Sequence, residues 1–316
     1  MKISDVKCGS DMIQWVCYIR AVSVCGKESG TYKGGKVRED SPDSSVDRTE
    51  RKEPAMKIAI VTGASSGMGR EAVIQLADRF SGLKEIWVIA RRRNSLEELC
   101  REVPVPLRIF SLDLMEENSL DILDWELKQR MPEVKILVNA AGYGKIGDVG
   151  TMDLSEEAGM VRLNCEALCG ITHLMLPYMS NHSRILMFAS AAGFLPQPGF
   201  AIYAATKAFV IHYSRGLNTE LRSRDIVVTA ICPGPVATEF FAVAETHAKM
   251  ASYKKKVMAN PRRVVRRALR DSMMGKTLSI YGPAMKGFWL LCKILPHGLI
   301  LQMLERMTTG EESKLS

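Results

Sequence analysis

The chain has 316 residues, which is enough for one large domain or two small ones. Its formal net charge of +8 and pI near 9.0 would suit a nucleic acid or an anionic surface. The basic stretch 261–270, however, has its apolar residues at helical spacing, which favours a solvated helix face and no nucleic-acid partner. The eight cysteines show no metal-ligand spacing, so we expect no metal site and reduced thiols in a cytoplasmic protein.

Residues 1–55 differ in composition from the rest of the chain. Residues 27–54 are rich in charged and small polar side chains, which predicts disorder. Residues 12–25 are partly apolar but are interrupted by Arg20, so the pattern does not indicate a signal peptide. We interpret residues 1–55 as a disordered extension that reflects the choice of start site or packs on a partner. The folded domain is then expected at 56–310.

A glycine-rich turn follows the first apolar strand, Lys57–Val61, and precedes an amphipathic helix at Arg70–Ala77. This order of strand, turn and helix directs backbone N–H groups and a helix N-terminus toward a pyrophosphate. The spacing GxxxGxG differs from the general fingerprint, and a glycine turn that only packs is the alternative. The candidate nucleotide-binding residues of the turn are Gly63, Ser65, Ser66, Gly67, Met68 and Gly69.

The second strand, Glu85–Ala90, ends in three consecutive arginines. In dinucleotide-binding domains an acid at this place binds the ribose 2′-hydroxyl, whereas an arginine accommodates a 2′-phosphate. We therefore predict a preference for NADP(H) that depends on Arg91 and Arg92. The alternative is a solvated charge run at the end of a strand.

Tyr203 and Lys207 stand four residues apart, which places both on one face of a helix. A free tyrosine has a pKa of about 10, and we expect the nearby ammonium to lower it and make Tyr203 a general acid/base for an alcohol/ketone pair. Ser190 follows the apolar strand Ile185–Ala189 and can hydrogen-bond the substrate oxygen. Such a pair also occurs by chance on many helices, but its position after a nucleotide-binding turn favours a hydride-transfer enzyme.

Over residues 56–307 these motifs resemble the short-chain dehydrogenase/reductase family, with Ala140 and Met68 departing from its usual residues. The resemblance, and the alternation of strands with helical stretches, imply an α/β fold with a single doubly wound parallel-sheet Rossmann domain. The matching segments in chain order are Thr62–Gly69, Asp113-Leu114, Asn139-Ala140-Ala141-Gly142, Asn164, Ser190, Tyr203, Lys207 and Pro233–Thr238.

The resemblance also implies roles for these residues. Asn164 would hold a water that relays protons to Lys207, and Lys207 would bind the nicotinamide ribose. Thr238 would contact the carboxamide or the pyrophosphate, while Asn139 would lie near the adenosine ribose and Asp113 near the adenine. The remaining expected cofactor contacts are Leu114, Ala140, Gly142, Tyr203, Pro233, Gly234 and Val236. Family members pair through the helices that hold Asn164 and Tyr203, which implies a homodimer or homotetramer.

The substrate end is predicted to be apolar. A lid is expected at 240–256, and its apolar residues, together with those of the loop between Ser190 and Tyr203, favour a lipophilic substrate; the alternative is that they only pack the lid. The residues concerned are Tyr143, Phe194, Leu195, Pro196, Phe200, Phe240, Phe241, Val243, Met250 and Tyr253. The apolar tail 283–307 is interrupted by Lys293 and Pro296 and is short for a transmembrane helix. It could cover the pocket, form a subunit interface or contact a membrane surface.

These patterns together predict an NADP(H)-dependent oxidoreductase that interconverts a secondary alcohol and a ketone. The expected substrate is a hydroxysteroid or a bile-acid-like compound, with Tyr203 as the proton donor in reduction, Ser190 positioning the oxygen and Asn164 supporting the relay. Two alternatives remain. One is a 3-oxoacyl reductase of lipid metabolism, and the other is a binding protein that senses NADP without catalysis.

Overall fold

Apolar residues fill the central strands on both faces of a parallel sheet. The computed structural model describes residues 55–247 and 258–302. Burial on both faces is typical of parallel strands covered by helices on each side, and all but the first residue of β1 and of β2 are buried. The strands are β1 (Lys57–Thr62), β2 (Glu85–Ala90), β3 (Leu107–Ser111), β4 (Glu133–Asn139), β5 (Met179–Phe188), β6 (Val227–Cys232) and β7 (Leu278–Ile280).

Helices cover the two faces of this sheet and create two separate hydrophobic cores. α1, α2 and α8 pack on one face, and α3, α5 and α6 pack on the other. The helices are α1 (Gly67–Arg79), α2 (Arg93–Glu102), α3 (Asn118–Arg130), α4 (Leu154–Val161), α5 (Leu168–Met175), α6 (Ala201–Glu220), α7 (Phe240–Ala244), α8 (Pro261–Met273) and α9 (Pro283–Ile294). A π-helical segment, Arg162–Ala167, joins α4 to α5.

The strand order is β3-β2-β1-β4-β5-β6-β7, and every neighbouring pair is parallel. The predicted doubly wound α/β fold is therefore confirmed. The order reverses between β1 and β4, and in open parallel sheets ligands bind in the crevice at such a reversal. Here Thr62 at the end of β1 ties the two strand ends together, because its Oγ1 accepts hydrogen bonds of 3.1 Å from both Ala140 N and Ala141 N. Backbone amides make this link, so alanine at 140 does not break it.

Several expectations fall on residues that the structure does not describe. The extension at 1–55 lies almost wholly outside the described residues, as do the later part of the lid at 248–256 and the end of the tail at 303–307. Within the two described ranges, no helix has both the length and the apolar character needed to cross a membrane.

Candidate functional site

An open cleft of about 590 Å³ lies at the carboxyl ends of the strands, where β1 and β4 separate. It joins the glycine turn, the residues after β2, β3 and β4, the face of α6 that carries Tyr203 and Lys207, and the start of the segment expected to form the lid. Among the predicted residues, those that line it are Gly63, Ser65, Ser66, Gly67, Met68, Gly69, Arg91, Arg92, Asp113, Leu114, Ala140, Gly142, Tyr203, Lys207 and Thr238.

The glycine turn leaves room for a group that approaches its backbone closely. Gly67 has a φ of +54°, which disfavours other residues, and a Cβ there would lie 3.3 Å from the side chain of Thr238. A Cβ on Gly69 would lie 2.2 Å from the carbonyl oxygen of Gly63. Ser66 is the N-cap residue of α1, and its side chain makes no capping hydrogen bond. The residues therefore fit a dinucleotide whose pyrophosphate meets the N-terminus of α1.

The two predicted arginines make different contacts. Arg92 donates from Nε and Nη2 to Ser65 Oγ, at 3.4 and 3.3 Å, and its Nη1 lies 2.9 Å from Glu239 Oε2. Arg91 lies 3.6 Å from Asp113 Oδ2 through its Nη1, and its side chain is 68% exposed. Asp113 Oδ1 accepts a hydrogen bond of 3.1 Å from Met115 N and so shapes the turn after β3. Arg92 and Ser65 thus form a cationic, hydrogen-bonding corner at this end of the cleft.

Tyr203 and Lys207 are buried on one face of α6 and both reach the cleft. Lys207 Nζ donates to Phe188 O at 2.8 Å and lies 5.6 Å from the centroid of the Tyr203 ring. Burial raises the pKa of Tyr203 above its usual value, and a hydrogen bond with Ser190 acts in the opposite direction. Burial also lowers the pKa of Lys207 to about 8. The expected lowering of the Tyr203 pKa is therefore wrong for this geometry, because desolvation dominates and the amine is bonded to a carbonyl oxygen.

Asn164 is fully buried in the π-helical segment, and its hydrogen bonds connect the loop after β4 to α6. Its Oδ1 accepts from Tyr143 N at 3.0 Å, and its Nδ2 donates to Tyr143 O at 2.9 Å and to Thr206 Oγ1 at 3.0 Å. A Cβ on Gly142 would lie 2.7 Å from Asn164 Oδ1 and 3.4 Å from Lys207 Nζ. Asn164 is thus adjacent to Lys207. π-Helical turns often occur at functional sites, and no signal in the sequence indicated this one.

Aromatic residues surround Tyr203 at the substrate end. Phe200 stacks on its ring with a centroid distance of 4.3 Å, and Phe240 packs at 5.3 Å. Tyr143, Phe240 and Val243 line the cleft. The expectation that Phe194 and Leu195 form the pocket is wrong, because both pack against the C-terminal part of the chain: Phe194 lies 6.4 Å from Phe288, and Leu195 is buried with Cys292 and Ile300. Met250 and Tyr253 lie outside the described residues.

Three charged residues that line the cleft were missed by the sequence analysis: Lys145, Glu156 and Glu239. Lys145 Nζ lies 3.1 Å from Glu156 Oε1 and donates to Thr246 Oγ1 at 2.9 Å. His247 Nε2 lies 2.6 Å from Glu156 Oε2, and hydrogen bonds from Lys145 and His247 hold the pKa of Glu156 below its usual value. These partners are far apart in the sequence, so only their folding together reveals the network.

Four predicted cofactor residues do not line the cleft. The side chain of Asn139 donates to Thr172 Oγ1 at 2.9 Å and faces a separate cavity of about 10 Å³. Pro233 O accepts from Ala191 N at 2.8 Å, and Gly234 packs against Met285. Val236 pairs with Ala259. These three residues instead support the segment that carries Thr238 to the cleft.

Comparison with known proteins shows the family to which the chain belongs. The profile of the short-chain dehydrogenase family matches residues 57–249. Sulfoacetaldehyde reductase 2 of Chromohalobacter salexigens is 33% identical over 192 residues, which cover 59% of this chain and 75% of that protein. The very-long-chain 3-oxoacyl-CoA reductase of Anas platyrhynchos is 32% identical over 200 residues, which cover 59% of this chain and 62% of that protein.

Among solved structures, the closed form of a serine dehydrogenase complexed with NADP⁺ superposes with a TM-score of 0.64. It is 27% identical, and the superposition covers 72% of this chain and 95% of that one. The fold, the cleft and the family match together define the class of protein. The chain belongs to the short-chain dehydrogenase family and is an oxidoreductase.

Proposed function

We propose that the protein is an NADP(H)-dependent oxidoreductase that interconverts a secondary alcohol and a ketone on a lipophilic substrate. The observation that carries this proposal is that Tyr203 and Lys207 open into the same cleft as the glycine turn and the Arg92–Ser65 corner. The glycine turn and the N-terminus of α1 would hold a dinucleotide, whose nicotinamide would supply or accept a hydride. Two-electron transfer and proton transfer can then occur at one carbonyl.

The residues have separate roles in this proposal. Tyr203 is protonated because burial raises its pKa, so it can donate its proton to the carbonyl oxygen during reduction. Ser190, whose Oγ accepts from Ala192 N at 3.1 Å, would donate its hydroxyl proton to the same oxygen and hold it near Tyr203. Lys207, whose pKa is about 8, carries a positive charge near neutral pH and orients the coenzyme ribose, while Asn164 fixes the adjacent loop and supports the proton relay.

The preference for NADP(H) rests on Arg92 and Ser65. A guanidinium and a hydroxyl that converge after β2 and on the glycine turn can together bind a 2′-phosphate. Arg91 lies at the same end of the cleft but is more exposed and pairs with Asp113. We therefore expect it to contribute less than Arg92 to binding a 2′-phosphate. The NADP⁺ complex of the related serine dehydrogenase is consistent with this assignment.

The substrate class follows from the aromatic surroundings of Tyr203. Phe200, Phe240 and Val243 favour a lipophilic carbonyl compound, and a hydroxysteroid or bile-acid-like compound is the first candidate. A 3-oxoacyl thioester of lipid metabolism is the second candidate. The similarity to the very-long-chain 3-oxoacyl-CoA reductase of Anas platyrhynchos favours it.

The experiment that tests the proposal follows nicotinamide absorbance with keto-steroids, keto bile acids and 3-oxoacyl thioesters, with NADPH and NADH in parallel. We expect oxidation of NADPH well above NADH with members of one lipophilic class. Preference for NADH would refute the assignment of Arg92. Tight NADPH binding without turnover of any carbonyl would instead favour a protein that senses NADP.

We further propose that the chain forms a homodimer or homotetramer through α6 and the helices around Asn164. Support comes from large apolar side chains exposed on these elements, Val161 at 47% and Phe209 at 41%. Sedimentation of the wild type and of a Phe209→Glu variant tests it. If the variant sediments with the same assembly mass as the wild type, the interface lies elsewhere.

The C-terminal region is proposed to contact a membrane surface from a cytoplasmic location. Leu290 and Ile294 on α9 are 51% and 69% exposed, and Lys293 Nζ lies 4.8 Å from the ring of Trp289. Flotation with lipid vesicles of the wild type and of an Ile294→Glu variant, which changes an exposed side chain, tests this contact. If both proteins float equally, this region does not mediate the membrane contact.

A further inference from the structure

Arg92 joins the two walls of the cofactor end of the cleft. On one wall its Nε and Nη2 meet the hydroxyl of Ser65 in the glycine turn. On the other its Nη1 forms an ion pair of 2.9 Å with Glu239. Ser65 and Glu239 are 174 positions apart in the sequence, so this bridge exists only in the folded cleft.

Glu239 also marks the beginning of the lid. It is the N-cap residue of α7 and directly follows Thr238, whose side chain lies against Gly67 of the glycine turn. The next residue, Phe240, packs on the ring of Tyr203. The ion pair therefore connects the residue proposed to select the coenzyme with the short helix that covers the proposed proton donor.

A 2′-phosphate and the Glu239 carboxylate require the same donor group. The guanidinium offers five N–H donors in a fixed plane, and the contacts with Ser65 and Glu239 use its Nε and both terminal nitrogens. A phosphate monoester carries a charge of about −1.5 to −2 near neutral pH. Placed on Arg92, it would repel the carboxylate as well as compete with it. NAD(H) has an uncharged hydroxyl at this position, so it neither repels the Glu239 carboxylate nor competes with it for Arg92.

We propose that Glu239 competes with the 2′-phosphate of NADP(H) for Arg92, so that it limits the preference for NADP(H) and is released from Arg92 only when that coenzyme binds. This inference rests on the proposed NADP(H) preference and deepens it. It makes Glu239 a specificity-determining residue that acts through Arg92. It also links coenzyme identity to the start of the lid.

The test measures dissociation constants for NADPH and NADH, and for the fragments adenosine 2′,5′-bisphosphate and 5′-AMP, in the full-length wild type and in Glu239→Gln. An exposed ion pair is worth little, so we expect the variant to bind NADPH and the bisphosphate about three- to fivefold more tightly, with NADH and 5′-AMP unchanged. Glu97→Gln is the matched control. It removes one charge from a carboxylate that pairs with Arg93 rather than Arg92.

The outcomes separate this inference from the proposed function. Wild-type protein that binds both coenzymes equally would refute the NADP(H) assignment and the competition with it. If the wild type prefers NADPH, the inference is overturned by weaker NADPH binding in Glu239→Gln, by an equal change for NADH, or by the same change in Glu97→Gln. In an Arg92→Gln background, Glu239→Gln should have no further effect, and an undiminished effect would also overturn the inference.

Discussion

The cofactor end and the substrate end of the cleft are constructed in different ways. The cofactor end is built on backbone at the carboxyl ends of β1 and β2 and at the N-terminus of α1, and the side chains of Ser65, Arg92 and Glu239 complete it. The substrate end consists of side chains from α6, the loop after β4 and the short helix α7. The sheet and the first helix can thus specify where a coenzyme binds, whereas the contacts expected for the substrate come from segments that are distant in the sequence.

Tyr203 lies where the two ends meet, so Tyr203→Phe gives the largest expected effect. Loss of the hydroxyl removes the proposed proton donor while the ring can still stack on Phe200. We expect turnover to fall roughly 10²- to 10⁴-fold, with the NADPH dissociation constant unchanged. Steady-state kinetics and coenzyme titration check this. Tyr213→Phe, the same change on the same helix outside the cleft, should keep wild-type turnover; a fully active Tyr203→Phe enzyme would contradict the mechanism.

Gly69→Ala should damage the cofactor end alone. The added Cβ would meet the carbonyl oxygen of Gly63 at 2.2 Å, so backbone must move. We expect a loss of about 1–3 kcal/mol of unfolding free energy and NADPH binding weakened at least about tenfold. Gly82→Ala is the control, because its Cβ has no neighbour within 4 Å. Normal NADPH binding by a stable Gly69→Ala protein would show that the turn is not the pyrophosphate site.

Lys207→Met tests the region between the two ends, where Lys207 is buried, through the pH dependence of the free energy of unfolding. Its folded-state pKa of about 8 lies below the usual 10.5. The unfolded chain therefore binds more protons between these values, and the stability of the wild type rises with pH in that window. Relative to Lys207→Met, the wild type should gain about 2 kcal/mol between pH 7 and 9.5 in urea unfolding. If the difference in stability between the wild type and Lys207→Met does not change with pH, the pKa of Lys207 lies near its usual value.

Phe240→Ala should affect the substrate end alone and least strongly. The ring lies 5.3 Å from Tyr203 and lines the cleft. Loss of one aromatic contact is worth about 0.5–1.5 kcal/mol, so the KM for a lipophilic ketone should rise roughly two- to tenfold with NADPH binding unchanged. Phe241→Ala, at a neighbour that does not line the cleft, is the control. A change in NADPH affinity with constant KM would assign Phe240 to the coenzyme instead.

Much of the fold could be predicted because buried parallel strands are nearly continuous apolar runs. β2 was predicted with its observed limits, and the glycine turn, being local, was placed correctly between β1 and α1. Two parts of the sheet were not predicted from the sequence: β7, which has only three residues, and the first part of β5 before Ile185. Short or polar stretches join a sheet because a neighbouring strand offers hydrogen bonds, and this information is not local.

The doubly wound α/β class and the helical register that puts Tyr203 and Lys207 on one face could be read from local sequence patterns, because both depend on residues close together in the chain. Tertiary structure decided the rest. It gave Tyr203 a raised pKa through burial, turned Phe194 and Leu195 away from the cleft, and brought Lys145 to Glu156 and Arg92 to Glu239. Desolvation and long-range ion pairs depend on what surrounds a side chain in space, and only the folded chain supplies those surroundings.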